Sequence, residues 1–321
     1  MNRLIRGHRA TVSRRAVLLA VTALPALLLA ACTPVKPYLP EPTQAPFGQG
    51  RAWRIDGPGI AASYVFATFD LPDKRVLELP AAAEQAFERS EVVAFDVLID
   101  PYIQAELYDK ESLQLTGDET LEELIGARSF GILTWHMKQR QRRPNNRIKP
   151  WAMWSYLGGE NFGFVDYDFG VDNRSDKNQA HWLEDRAETA GKKVVGLQTD
   201  QENFDVYDKM PLDQQADMLK VRLDRYEGLP PQVRKMQLYL DGDLARLDAL
   251  WREYLSWLQP ATAETLDRRM ITDRNRLMVE RMLPLMQEQS TFVAVGFGHL
   301  PGEQGILRLL EQRGFVVTRV Y

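Results

Sequence analysis

Only four histidines occur in this chain of 321 residues, and one of them, His299 in "FVAVGFGHLPGEQG", stands where an apolar run breaks into a glycine turn. The carboxyl end of a buried strand is where open α/β sheets bind ligands. Three more runs bring polar groups to comparable places: "SYVFATFD" ends in Asp70, "EVVAFDVLI" carries Asp96, and "KKVVGLQ" ends in Gln198. Two carboxylates and one imidazole are donors enough for a divalent ion. Gly296 and Gly298, flanking the strand end, would let backbone come close to a bound ion or substrate. Metal binding by Asp70, Asp96 and His299 is therefore one expectation; the other is that His299 closes its strand by bonding a carbonyl. No HExxH, GxSxG or GxxxxGK[ST] signature occurs. "GFGHLPG" departs from a dinucleotide-binding fingerprint because Pro301 holds the third glycine position.

These residues need strands to carry them. "RAWRI" and "ASYVFATF", separated by "DGPG", read as two strands joined by a turn. "ELPAAAEQAFERS" reads as a helix and "EVVAFDVLI" as a buried strand. "GDETLEELIGAR" opens a helical region with Asp118 or Thr120 as its cap. "HWLEDRAETAGKKVVGLQTD" gives a helix, a stop at Gly191 and a strand. From "PLDQQADMLKVRL" to "RNRLMVERMLPLMQEQ" apolar residues recur at helical spacing. "TFVAVGFGH", "EQGILRLLEQRG" and "FVVTRVY" then read as strand, helix with Gly314 at its end, and strand. Apolar strands alternating with helices at both ends predict an α/β fold with a largely parallel central sheet covered by helices, and a helical insertion between.

The N-terminus reads as an address and not as part of the fold. Residues 1–31 combine a basic start, an apolar run too short for a comfortable membrane span, and small residues before Cys32, the pattern of an export signal. "SRRAVLL", with Arg14 and Arg15, fits the twin-arginine route, and "LAAC" fits a lipobox that leaves Cys32 as a lipid-bearing first residue. A plain secretory signal or a retained anchor is the alternative. Residues 32–50 then form a lipidated cysteine and a proline-rich tether, at about 3 Å per residue if extended. The folded domain is expected over residues 51–321. Cys32 is the only cysteine, so a lipidated chain would have neither a disulfide nor a cysteine metal ligand. Composition is 45% hydrophobic and 26% charged with a net charge of −4. That balance is ordinary for a globular protein and argues against nucleic acid as a partner.

Several segments together resemble the TraB/GumN (TraB/PrgY/GumN) family, which is related to the Tiki metalloproteases. "SYVFATFDLPDKRV", "SEVVAFDVLI", "KPWAMW" and "AETAGKKVVGLQTDQ" are similar to successive family elements, and "DRNRLM" with "FVAVGFGHLPGEQGILRLLEQRGFVV" is the most specific match. The resemblance implies a Tiki/EreA-like fold and a metal-dependent, peptidase-like hydrolytic site built from two Gly-x-x-His motifs and acidic residues. The second motif is intact at Gly296, Phe297, Gly298 and His299. In the first, Ala67 replaces glycine and Asp70 replaces histidine; Asp96 and Gln198 stand where the family has glutamates, and Arg274 is retained. By this resemblance Asp70, Asp96 and His299 hold the metal. The exchange of histidine for aspartate favours Mn²⁺, with Zn²⁺ or Co²⁺ as alternatives. Arg274 and Gln198 occupy the catalytic positions: Arg274 would steady developing negative charge, and Gln198 cannot act as a base, because an amide does not titrate near neutrality. The expected product is a lipoprotein of the bacterial cell envelope, facing the periplasm. Thr33 after the cysteine favours the outer membrane. Its partners would be the membrane, through the lipid, and a peptide or envelope ligand. A non-catalytic relative that binds such a ligand in the same cleft is the competing expectation.

Three other features invite simpler readings. His136 and His181 sit in helical or loop contexts and are not expected to be ligands. "DYDFGVDNRSD" spaces acids like a calcium loop but lacks the required glycine and final acid, so it reads as a solvated loop. "KQRQRRPNNRIK" reads as an exposed helix end, with contact to anionic lipid or glycan as the sharper alternative.

Overall fold

The computed structural model describes residues 39–71, 73–158, 178–225 and 232–321. The export signal, Cys32, the first part of the tether and the acidic loop Asp166–Asp176 lie outside the described residues. Pro40–Tyr321 forms one compact unit. Among the described residues no helix is long and apolar enough to cross a membrane.

Six strands make one mixed sheet: β1 (Ala52–Asp56), β2 (Ser63–Thr68), β3 (Val92–Val97), β4 (Lys193–Gln198), β5 (Thr291–Gly296) and β6 (Val316–Arg319), in the order β4-β3-β5-β2-β1-β6. β4, β3, β5 and β2 run parallel, whereas β1 pairs antiparallel with both β2 and β6. The sheet is therefore largely parallel, with β1 alone reversed, between β2 and β6. "VVAF" in β3 and "FVAV" in β5 are buried throughout, as strands covered on both faces must be. Alternate residues divide between the faces. Val65, Ala67, Val293 and Val295 join one core cluster, while Phe66, Val93, Phe95 and Phe292 join another.

The helices, in chain order, are α1 (Lys74–Leu77), α2 (Ala81–Arg89), α3 (Pro101–Leu107), α4 (Leu121–Ile125), α5 (Ala127–Gln139), α6 (Pro150–Gly158), α7 (Gln179–Thr189), α8 (Asp200–Asp208), α9 (Leu212–Arg225), α10 (Gln232–Leu240), α11 (Leu244–Trp257), α12 (Pro260–Asp267), α13 (Asp273–Glu288) and α14 (Ile306–Gln312). A π-helical segment, Arg268–Thr272, joins α12 to α13. The two sheet faces are covered by α2 and α7 on one side and by α13 and α14 on the other. The expected helical insertion has a core of its own, built around Trp151, Trp154, Tyr207 and Tyr254. Trp154 Nε1 donates to Tyr254 Oη at 2.9 Å, and the guanidinium of buried Arg222 lies 4.5 Å from the Trp154 ring. Thr120 caps α4 in a reciprocal capping box with Glu123.

Residues 40–50, expected as the end of a free tether, pack against the fold instead. Thr43 N–H donates to Ala245 O, its hydroxyl reaches Asp248 at 2.9 Å, and Gly50 N–H donates to Gly242 O at 2.9 Å. The compact unit thus includes residues 40–50.

Candidate functional site

The strand register sets the site. Thr68 is paired with Gly296 and Val97 with Gln198, so the carboxyl ends of all four parallel strands lie along one sheet edge. There a cavity of about 310 Å³ is lined by Asp70, Asp96, Arg274, Gly296, Gly298 and His299, among others. His299 lies one short turn beyond β5, and Asp70 two residues beyond β2.

The exit of β2 is held by a wholly buried amide. Gln179 Oε1 accepts from Phe69 N–H at 3.0 Å, and its Nε2 donates to Val76 O. Tyr239 Oη lies 2.9 Å from Ala67 O and 3.0 Å from the same Gln179 oxygen, so one phenolic proton serves two acceptors. The Phe69 ring packs between Tyr239 and Phe297, at centroid separations of 5.2 and 5.3 Å. These contacts deliver Asp70 to the cavity wall.

Asp96 accepts from Val97 N–H at 3.0 Å and from Gly296 N–H at 3.4 Å. Burial raises its pKa, opposed by the Arg274 charge and by these backbone donors. Asp70 is pushed up to about 7, by burial first and then by the Asp96 charge. Asp70 keeps an exposed surface while lining the cavity, and the direction of its shift follows from the cavity walls and the neighbouring carboxylate.

His299 is 6% exposed, and its Nδ1 lies 2.7 Å from Asn275 Oδ1. Asn275 Nδ2 donates to His299 O at 3.2 Å and to Gln304 O at 2.7 Å, which assigns its oxygen to the imidazole. The ring is thus a donor at Nδ1 and leaves Nε2 as a lone pair. Burial, then the nearby Arg274 charge, hold its pKa well below the ordinary value, so it stays neutral. The preceding residue on α13 reaches the end of β4, where Arg274 Nε donates to Gln198 Oε1 at 2.8 Å. Seven residues further along the same helix face, Arg281 grips Glu202 with two bonds of 2.7 and 2.8 Å and also Leu197 O at 2.8 Å. α13 is thereby riveted to the end of β4.

Gly296 and Gly298 line the cavity; neither has a positive φ, and a Cβ on Gly298 would meet nothing within 4 Å. The strict glycines lie later, at Gly302 (φ 96°) and at Gly305, where a Cβ would collide with the Leu300 carbonyl. What Gly296 does provide is room, since its missing Cβ would lie 3.6 Å from His299 Cδ2 and 3.7 Å from Asp96 Oδ2. Gln198 is 4% exposed and lies behind Arg274, outside the cavity lining. It acts on Arg274 and does not face a ligand. Conversely His181 and Glu184, on one face of α7, do line the cavity, as does Lys235, whose pKa burial and then the Arg222 charge push down to about 8. No motif marks these three, because their approach depends on how α7 lies on the sheet and how α10 packs across the strand ends.

A divalent ion suits the donor types: two carboxylates, and an imidazole whose other nitrogen is already held by a side chain, as in many metal sites. Among the described residues, however, no three His, Cys, Asp or Glu side chains are arranged as a metal-holding group. Asp70, Asp96 and His299 share the cavity without converging on one point.

A comparison against protein families shows that the chain belongs to the TraB/PrgY/gumN family, whose model matches residues 52–319. Comparison with curated proteins and with solved structures found no match to either.

Proposed function

We propose that the protein is a membrane-tethered envelope lipoprotein whose strand-end cavity hydrolyses a peptide or related envelope substrate with the help of a divalent ion, Mn²⁺ before Zn²⁺ or Co²⁺. The observation that carries the reading is the pair of carboxyls in one cavity. Among the described residues neither Asp70 nor Asp96 has an ion-pair partner, and Asp70 is held near pH 7 by burial and by its neighbour. A cation there would relieve both effects. Asp70, Asp96 and His299 would hold the ion, which when bound lowers the pKa of a water and polarises a carbonyl. Arg274 provides a fixed positive charge beside them. Cys32, the lipobox and the twin-arginine signal support the tether and the periplasmic side of the membrane, with Thr33 favouring the outer one. The test is turnover of a mixed peptide library by the full-length protein in detergent. Mn²⁺-dependent cleavage that disappears in His299→Ala supports the reading, and no cleavage with any of the three ions removes it.

A second reading, a non-catalytic relative binding a peptide or envelope partner, is favoured by the lack of convergence among the three donors and by a neutral Gln198. In that case the same library would be retained and released uncut.

A further inference from the structure

Arg274 uses only part of its hydrogen-bonding capacity. The residue lines the cavity; its Nε is fixed by Gln198, and its Nη1 and Nη2 atoms make no hydrogen bond among the described residues. No carboxylate among the described residues lies within ion-pair distance of it, although its charge is felt by Asp96, His299 and Tyr207. The acceptor that fixes its plane is a neutral amide. A glutamate at 198 would neutralise the guanidinium; Gln198 orients it and leaves the charge uncompensated. A half-buried fork of this kind is matched by a planar anion held through two parallel bonds. One helical turn before Arg274, Met270 lines the same cavity, and Trp251, Tyr254 and Trp257 supply an apolar, aromatic wall.

We infer that the cavity takes a ligand ending in a carboxylate joined to an apolar or aromatic group, with Arg274 as the carboxylate anchor and Gln198 as its positioning residue. This rests on the cavity being the working site, and it narrows the substrate to free C-termini of apolar peptides. Anchoring the carboxylate at Arg274, within electrostatic reach of Asp96 and His299, sets the last peptide bond beside those groups. The shared chemistry could also come from a fatty acid, so the test has an arm for each source.

The experiment is calorimetric titration of the full-length protein in detergent with the tripeptide Phe-Leu-Phe as free acid, with its C-terminal amide, and with octanoate, each with and without Mn²⁺. Wild type is expected to bind the acid at least about tenfold more tightly than the amide, the usual return for a charge-assisted pair. Gln198→Glu, nearly isosteric, and Arg274→Gln should bring that ratio close to one in variants that still melt cooperatively. A retained cooperative melt separates anchoring from a general loss of shape. Tight binding of octanoate identifies the acyl source, and tight binding of the tripeptide acid the peptide source. Equal affinity of wild type for acid and amide, or an undiminished acid preference in Gln198→Glu, overturns the inference. Hydrolysis is read separately: acid preference without turnover removes the hydrolase reading alone, and turnover without acid preference removes this one alone.

Discussion

Asp70 is a carboxyl whose folded-state pKa of about 7 lies above its ordinary value of 3.8, so between those pH values the native state keeps a proton that the unfolded chain has released. Stability therefore falls as pH rises from about 4 to about 7 and is level beyond. Asp70→Asn should abolish this slope: in metal-free buffer it should melt above wild type at pH 8 and level with it at pH 4, as followed by circular dichroism. An Asn275→Leu variant should lose about 2–4 kcal/mol in denaturant titration, because two carbonyls and the His299 Nδ1–H lose their partner in a buried place. The acidic and imidazole members of this site were legible in the sequence, because each follows an apolar run at a strand end. Gln198 was legible in the same way, but its partner was not, and Gln179 was not read as a site residue at all. Gln198 meets Arg274 across 76 residues and Gln179 meets Phe69 across 110, and an amide carries neither charge nor periodicity to reveal such a meeting.

At the scale of elements, the rigid delivery of Asp70 depends on Gln179, which ties the exit of β2 to α7, α10 and α1. Gln179→Leu should cost about 2–4 kcal/mol, since Phe69 N–H and Val76 O would stay buried and unpaired. Tyr239→Phe, which removes only a proton donor, should cost about 1 kcal/mol in the same titration. The rivet between α13 and β4 has its own pH signature. Glu202 is held down to about 2, chiefly by the Arg281 bonds. It therefore adds stability above its unfolded pKa, near 4.5, and that contribution is lost as pH falls toward 2. Glu202→Gln should lower the melting temperature at pH 7 and make little difference at pH 2. The parallel strands were readable as unbroken apolar runs, and the helices from their spacing and caps. The place of β6 was not: "VVTR" is mostly exposed, and its antiparallel pairing with β1 is a long-range choice made by the edge of the sheet.

For the whole molecule, residues 40–50 pack on α11 and belong to the domain, and the lipid anchor proposed at Cys32 has a direct test. A Cys32→Ser chain should move from the membrane fraction to the soluble fraction on ultracentrifugation. The most direct measurement for the account as a whole is calorimetric titration of Mn²⁺ into the metal-free full-length protein at neutral pH. The account predicts saturation at about one ion per chain, with the ion raising the melting temperature by mass action, and loss of binding in Asp96→Asn and His299→Ala variants that still melt cooperatively. A cooperatively folded wild type that takes up no Mn²⁺, Zn²⁺ or Co²⁺ at about millimolar concentration would contradict it.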